Sequence, residues 1–190
     1  MSTYKPKSRV SKDQWLQAAM ELFSKEGEKG VRIEKLARQI GVAKAGFYWH
    51  FRDRADLLQH MLDYWAHEFT EVVTVNPEIL DLPPAQRLLA IMKMVDEYGL
   101  TRFDIHFRAW AKNDPAAARG VREVIRVRLD TVRTLFSELG FEGEDLEVRA
   151  HLFVCYGSNE GDMFGGRGGT PQRHRERYWQ LLIDMATVID

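Results

Sequence analysis

Apolar residues recur at three- and four-residue spacing along almost the whole 190-residue chain, and no stretch alternates apolar with polar residues for the length of a strand. That periodicity confines the chain to helix packing, so the expected fold class is all-α. The first helix opens at Ser11, with Gln14 three residues on as a capping box, and carries Trp15, Ala18, Ala19, Leu22 and Phe23 on one face before stopping at Gly27. A short helix over about 32–40 turns Ile33, Leu36, Ala37 and Ile40 inward, and Gly41 supplies the tight turn into another over 44–51. Asp53 caps a long helix whose stripe is Leu58, Met61, Leu62, Trp65, Phe69 and Val72. Three prolines over 76–84 break the pattern. Longer helices are expected over 86–98, 101–112, 114–139, 144–163 and from Thr170 to the C-terminus, with Asp114 and Pro115 as a cap and first-turn pair.

Charge divides the chain where the helices change length. Residues 1–60 carry twelve Lys and Arg against seven Asp and Glu, and the remaining 130 carry fifteen against twenty-one, so a formal net charge of -1 conceals a basic head on an acidic body. Such a split suits a head that meets a polyanion. At 45% hydrophobic with five Trp, the chain can bury a sizeable core, which excludes intrinsic disorder. No apolar run approaches the roughly 18 to 20 residues of a membrane span, and Met1–Val10 lacks the apolar middle of a signal peptide, so a cytoplasmic protein without a membrane partner is expected. Cys155 stands alone, which forbids intrachain disulfides and fits a reducing compartment; its apolar helix suggests a buried structural thiol.

Residues 30–58 read GVRIEKLARQIGVAKAGFYWHFRDRADLL. A short amphipathic helix, a glycine turn and a second short helix follow one another closely enough to cross steeply, which is helix-turn-helix geometry, and the second helix can enter a major groove of double-stranded DNA. Its outer residues Lys44, Tyr48, Trp49 and His50 can donate to phosphates or stack, while Val42, Phe47 and Phe51 hold it to the preceding helices. The small Ala45 and Gly46 let the backbone approach base edges and leave Lys44 free to reach guanine acceptors. Arg32 completes the outward basic set. The competing reading is a three-helix bundle with a basic surface and no role at DNA, and within the motif Trp49 can instead pack sideways and His50 hydrogen-bond within its own domain.

This stretch resembles the tetracycline-repressor-like (TetR) family of one-component bacterial regulators, through its isoleucine, Leu36–Ala37, the Ile40–Gly41–Val42 turn, Lys44, Phe47–Tyr48, His50–Phe51, a charged cap and Leu57–Leu58. The resemblance covers about residues 11–60 and extends to the rest through its helical layout and length. Where the family often has hydroxyl residues at the start of the recognition helix and three positions later, this chain has Ala43 and Gly46. The resemblance implies a homodimer with two recognition helices in successive major grooves, half-site centres about 34 to 36 Å apart, on a near-palindromic operator. It implies that Arg54 meets a phosphate, that Lys5, Lys7 and Arg9 form a basic arm, and that the C-terminal helices pair subunits and hold a small effector. The domains expected are 1–55 for the helix-turn-helix and 56–190 for effector binding and dimerisation.

In the body, aromatic and polar residues interleave in a way that suits an apolar cavity with a few orienting groups: Met92, Asp96, Phe103, Phe107, Trp110, Phe153, Tyr156 and Glu160, with Tyr98, His106 and Asn159 beside them. Ordinary core is the alternative for each. Leu152, Val154, Tyr156, Trp179, Leu181, Leu182, Met185 and Val188 can form a two-fold interface or plain core. His60, Asp63 and His67 share a helical face but lie opposite the apolar stripe, so a solvated face is favoured and no metal is expected. Arg119, Arg122, Arg126 and Arg133 read as a salt-bridge face rather than an anion site. The 165–169 loop lacks a phosphate loop's Lys and hydroxyl, and no catalytic spacing accompanies the Ser, His and Asp present. The expectation is a DNA-binding repressor released by a small molecule, with no cofactor or enzymatic activity; the alternatives are an architectural or partner-gated DNA-binding protein without an effector and, further off, an enzyme or carrier using the body's cavity.

Overall fold

The computed structural model describes residues 10–71, 76–164 and 172–184. Lys5, Lys7, Arg9, Val72, the 165–169 loop with Thr170 and Pro171, Met185, Val188 and the side chains of Phe69 and Glu160 lie outside the described residues. Among the described residues every regular element is helical, and no helix is long and apolar enough to cross a membrane. Contacts divide the chain into two compact units after Tyr64, within the helix whose start the sequence reading takes as the domain boundary.

The first unit is built on α1 (Lys12–Gly30), where the capping box forms: Ser11 Oγ accepts from Gln14 N at 3.2 Å and Gln14 Oε1 accepts from Ser11 N at 2.8 Å. Gly27, at φ 68 and ψ -172, breaks the helical path, and one further turn runs on to Gly30. Next comes α2 (Ile33–Ile40), closed by Gly41 at φ 75 and ψ 34, a left-handed conformation that glycine adopts without a Cβ penalty. The segment expected as an α-helix over 44–51 is instead a 3₁₀ turn, Lys44–Trp49, held by Gly46 N to Ala43 O and His50 N to Phe47 O, both 2.9 Å. A stretch this short, with glycine inside it, has little α propensity, and the tighter winding satisfies its backbone. Trp15, Phe23, Leu36, Phe47, Phe51, Leu57 and Met61 form the core of this unit. Trp15 meets Phe47 edge to face at 5.5 Å, and Phe47 meets Phe51 at 5.1 Å. Such pairs are each worth about 0.5 to 1.5 kcal/mol beyond the area they bury. Helix α3 (Arg54–Ala66) starts with the Asp56 N–H donating to Asp53 Oδ1 at 2.8 Å and passes into a π turn, His67–Glu71.

The second unit opens with α4 (Pro77–Leu80), a short helix inside the stretch expected to be a break. Asn76 caps it by accepting from Glu78 N at 3.0 Å, and Pro77 and Pro84 each occupy a first helical position, where a missing N–H costs nothing. Then come α5 (Pro84–Tyr98), α6 (Asp104–Ala111), α7 (Pro115–Glu138), α8 (Gly143–Phe164) and α9 (Gln172–Ile183). Asp114 caps α7 by accepting from Ala116 N at 2.8 Å and Ala117 N at 2.9 Å. Helix α7 is central, packing against α5, α6, α8 and the π turn, and it buries Ala117, Val121, Val124, Val132, Leu135 and Phe136. Its outer face carries the expected salt bridges, Arg126 with Glu123 and Asp130, and Arg133 with Asp130 and, on α8, Glu147. Phe153 of α8 closes the core between Phe136 at 5.9 Å and Trp179 at 5.1 Å.

Cys155 departs from expectation, since it is exposed. Helix α8 is apolar on two faces: Ala150 and Phe153 take the inner one, which leaves Val148, Leu152 and Cys155 on the outside.

Candidate nucleic-acid interface and body cavity

Burial of Phe47 sets the orientation of the Lys44–Trp49 turn. With that ring fixed against Trp15, Tyr48 and Trp49 stand outward, 53% and 71% exposed, next to Lys44 and Ala45. Gly46 does not owe its place to crowding, because a Cβ there would find only Trp15 Cζ2 at 3.9 Å. Two exposed aromatics, a lysine and two small residues thus share one solvent-facing turn, able to stack, donate and approach closely.

The basic groups around this turn hold internal partners. Lys44 Nζ pairs with the Glu34 carboxylate of α2. That hydrogen bond holds the Glu34 carboxyl below the ordinary carboxylate range and raises Lys44 in turn. Arg54 donates to the carbonyls of Val31 at 2.7 Å and Glu28 at 2.6 Å, and also pairs with the Glu28 carboxylate, so it caps the C-terminal end of α1. His50 donates through Nε2 to the Val10 carbonyl at 2.9 Å, tying the turn to the residue before α1. Arg32 Nε donates to the Lys29 carbonyl at 3.4 Å. Of the eight residues expected at DNA, the fold brings Lys44, Ala45, Gly46, Tyr48 and Trp49 together, while Arg32, His50 and Arg54 are engaged with the domain's own backbone.

The body contains a cavity of about 60 Å³ between α5, α7 and α8, walled by Ile91, Met92, Val95, Val132, Phe153 and Val154 among others. Its polar side is Arg128, Thr70, Thr101, Thr131 and Ser158. Behind Arg128 stands Asp104, 1% exposed, at the start of α6. Asp104 Oδ1 accepts from Trp65 Nε1 at 3.1 Å and Arg128 Nη2 at 3.2 Å, and Oδ2 pairs with Nη1. Arg128 also donates to Ser158 Oγ at 3.2 Å and to Thr70 Oγ1 of the π turn at 3.1 Å. Trp65 stacks on Phe107 at 4.3 Å. A buried charge is tolerable only when paired and hydrogen-bonded, and the arginine meets both conditions at once.

Of the residues expected at an effector, Met92 and Phe153 line this cavity. Asp96 lies instead in an open groove with Lys93, Glu97 and Glu176. Phe103 and Phe107 are buried core, Trp110 sits half-buried 6.2 Å from Phe107, and Tyr156 stacks on Tyr178 at 4.0 Å. The sequence reading passed over Asp104 and Arg128. A signal for Arg128 was present: with Val121, Val124, Val132 and Leu135 it falls in the apolar stripe of α7, where an isolated charge needs a buried partner. Among the described residues no group of three or more His, Cys, Asp or Glu could hold a metal, and His60 Nδ1 lies 2.8 Å from the Asp56 carbonyl.

Comparison with known proteins adds to this geometry. The chain is 30% identical over 57 residues to the HTH-type transcriptional regulator AcrR of Shigella flexneri, an alignment covering 30% of this chain and 26% of that relative. It is 25% identical over 174 residues, 85% of this chain and 86% of the relative, to the nucleoid occlusion factor SlmA of Pasteurella multocida. A solved structure of AibR in complex with isovaleryl coenzyme A and operator DNA superposes with a TM-score of 0.71 at 20% identity, covering 90% of this chain and 97% of that one, which establishes a shared fold. Residues 16–61, containing α2, its glycine turn and the Lys44–Trp49 turn, match the model of the bacterial regulatory proteins of the tetR family. Through this helix-turn-helix domain the chain belongs to the TetR family.

Proposed function

We propose that the chain is a DNA-binding transcriptional regulator, a repressor that binds a near-palindromic operator as a homodimer and leaves it when a small molecule enters the body. The observation that carries DNA binding is the outward Lys44–Trp49 turn, with Tyr48 and Trp49 exposed beside a lysine on a basic head. Exposed aromatics on a charged surface have a use in stacking and phosphate contact. The dimer reading is supported by Val148, Leu152 and Leu181, large apolar side chains left exposed on α8 and α9. Effector release is supported by the cavity and by AibR, a relative in fold that was solved with both an acyl coenzyme A and operator DNA. By chain connectivity α3 belongs to the head at Arg54 and to the body at Trp65, and Trp65 is hydrogen-bonded to the pair that borders the cavity. A ligand that favours one arrangement of that pair therefore biases α3, and with it the spacing of the two heads, as a population shift.

Lys44→Ala and Tyr48→Ala are each expected to weaken operator binding by about 1 to 3 kcal/mol, measured by fluorescence anisotropy on protein with an unchanged circular dichroism spectrum. Unchanged affinity in both would remove the turn from the interface. A second reading, DNA binding without an effector, is favoured by the similarity to a nucleoid occlusion factor over most of the chain. Stabilisation by no member of a broad ligand panel would select it.

A further inference from the structure

Arg128 is the charged side chain among the described residues of the cavity wall, and it arrives already neutralised. Both of its terminal nitrogens meet Asp104, which is out of reach of water and also holds Trp65. Asp104 approaches from a second cavity of about 180 Å³, and Arg128, Val154 and Ser158 line both spaces, so the ion pair stands as a partition between them. A carboxylate entering the first cavity would set two anions on one guanidinium and leave a buried aspartate short of its partner. The remaining polar groups ask for less. Thr131 Oγ1 donates to the Val127 carbonyl at 2.9 Å, whereas Ser158 Oγ accepts from Arg128 and keeps its own proton to give. A neutral acceptor oxygen answers that hydroxyl.

Gly157 sets the size. A Cβ at this mid-helix position of α8 would lie 2.9 Å from Met92 Cε and 3.5 Å from its sulfur, so the absent side chain makes the room that the thioether occupies. Met92 is unbranched and flexible, and by swinging aside it enlarges the space beyond about 60 Å³. We propose that the effector is an uncharged, mainly apolar small molecule with one carbonyl or ether oxygen, its apolar part against Met92 and Phe153 and its oxygen at Ser158. This rests on the effector reading above and narrows it to a chemical class.

The test uses the full chain and matched pairs of probes that differ in charge alone: straight-chain primary carboxamides and carboxylates of two to six carbons, with benzamide and benzoate. Binding is followed by calorimetry and thermal shift at neutral pH. At least one carboxamide is expected to bind about tenfold or more tighter than its carboxylate. Gly157→Ala, which presses Met92 into the cavity, should weaken that carboxamide about tenfold or more while the unfolding temperature of the free protein stays close to wild type. Asp104→Asn removes the competing anion and should strengthen carboxylate binding. A carboxylate that binds wild type as tightly as its amide overturns the uncharged assignment and leaves the effector reading standing. Binding by neither series to folded protein overturns the effector reading itself.

Discussion

Lys44 and Arg54 each hold a carboxylate of their own domain, Glu34 and Glu28. Exposed pairs of this kind are weak and yield to a better anion, so a DNA phosphate can take the place of Glu34 at Lys44. Until it does, Glu34 serves as an internal counterion. A lysine neutralised from within releases no salt ion when it reaches a phosphate, whereas one shielded by solvent ions does. Glu34→Gln is therefore expected to strengthen binding to unrelated duplex DNA and to steepen the slope of log K against log salt by about 0.9 for each lysine freed. An unchanged slope would mean that Lys44 makes no phosphate contact. At this scale the head was legible in sequence, because a recognition turn is local and its spacing is written in consecutive residues. Asp104 and Arg128 were not, since their pairing joins positions that only the packing of α6 on α7 brings together.

Elements carry the next level of the argument. Helix starts were readable wherever a cap was local, as at Ser11 and Asp114. They were misread where proline was taken only as a breaker, as in α4 and the first turn of α5. Helices α7 and α8 are joined on their outer side by Arg133 and Glu147, whose contacts run from 2.8 to 3.1 Å. The hydrogen bond from Arg133 holds the Glu147 carboxyl below its ordinary range. A carboxyl lowered in the folded state contributes stability above its unfolded value, and that contribution is lost as pH falls through the folded one. Glu147→Gln should therefore unfold at lower urea than wild type at pH 7, and the gap should close as the pH drops below the carboxylate range. A gap that persists in acid would show that the loss is one of packing. On the opposite side of α8, Leu152 stands among exposed apolar residues. Leu152→Arg is expected to yield a folded monomer by sedimentation equilibrium, with operator affinity reduced because one head alone must hold the site. A dimer of unchanged strength would place the interface elsewhere.

For the whole molecule, the division of charge and the division of structure fall close together, with excess Lys and Arg in residues 1–60 and a compact unit ending at Tyr64. A basic, conserved-looking motif need not imply sequence specificity, since a basic head with exposed aromatics also binds phosphates at large. What separates the two is symmetry, because two identical heads on one dimer must find two copies of one half-site, their centres about 34 to 36 Å apart. The direct test is selection of bound fragments from randomised duplex DNA by the full chain at moderate salt. A recovered inverted repeat with that spacing is the expected result, and its loss with Lys44→Ala would assign it to the recognition turn. Recovery of only unsymmetrical, salt-sensitive fragments would contradict a dimeric, sequence-specific regulator.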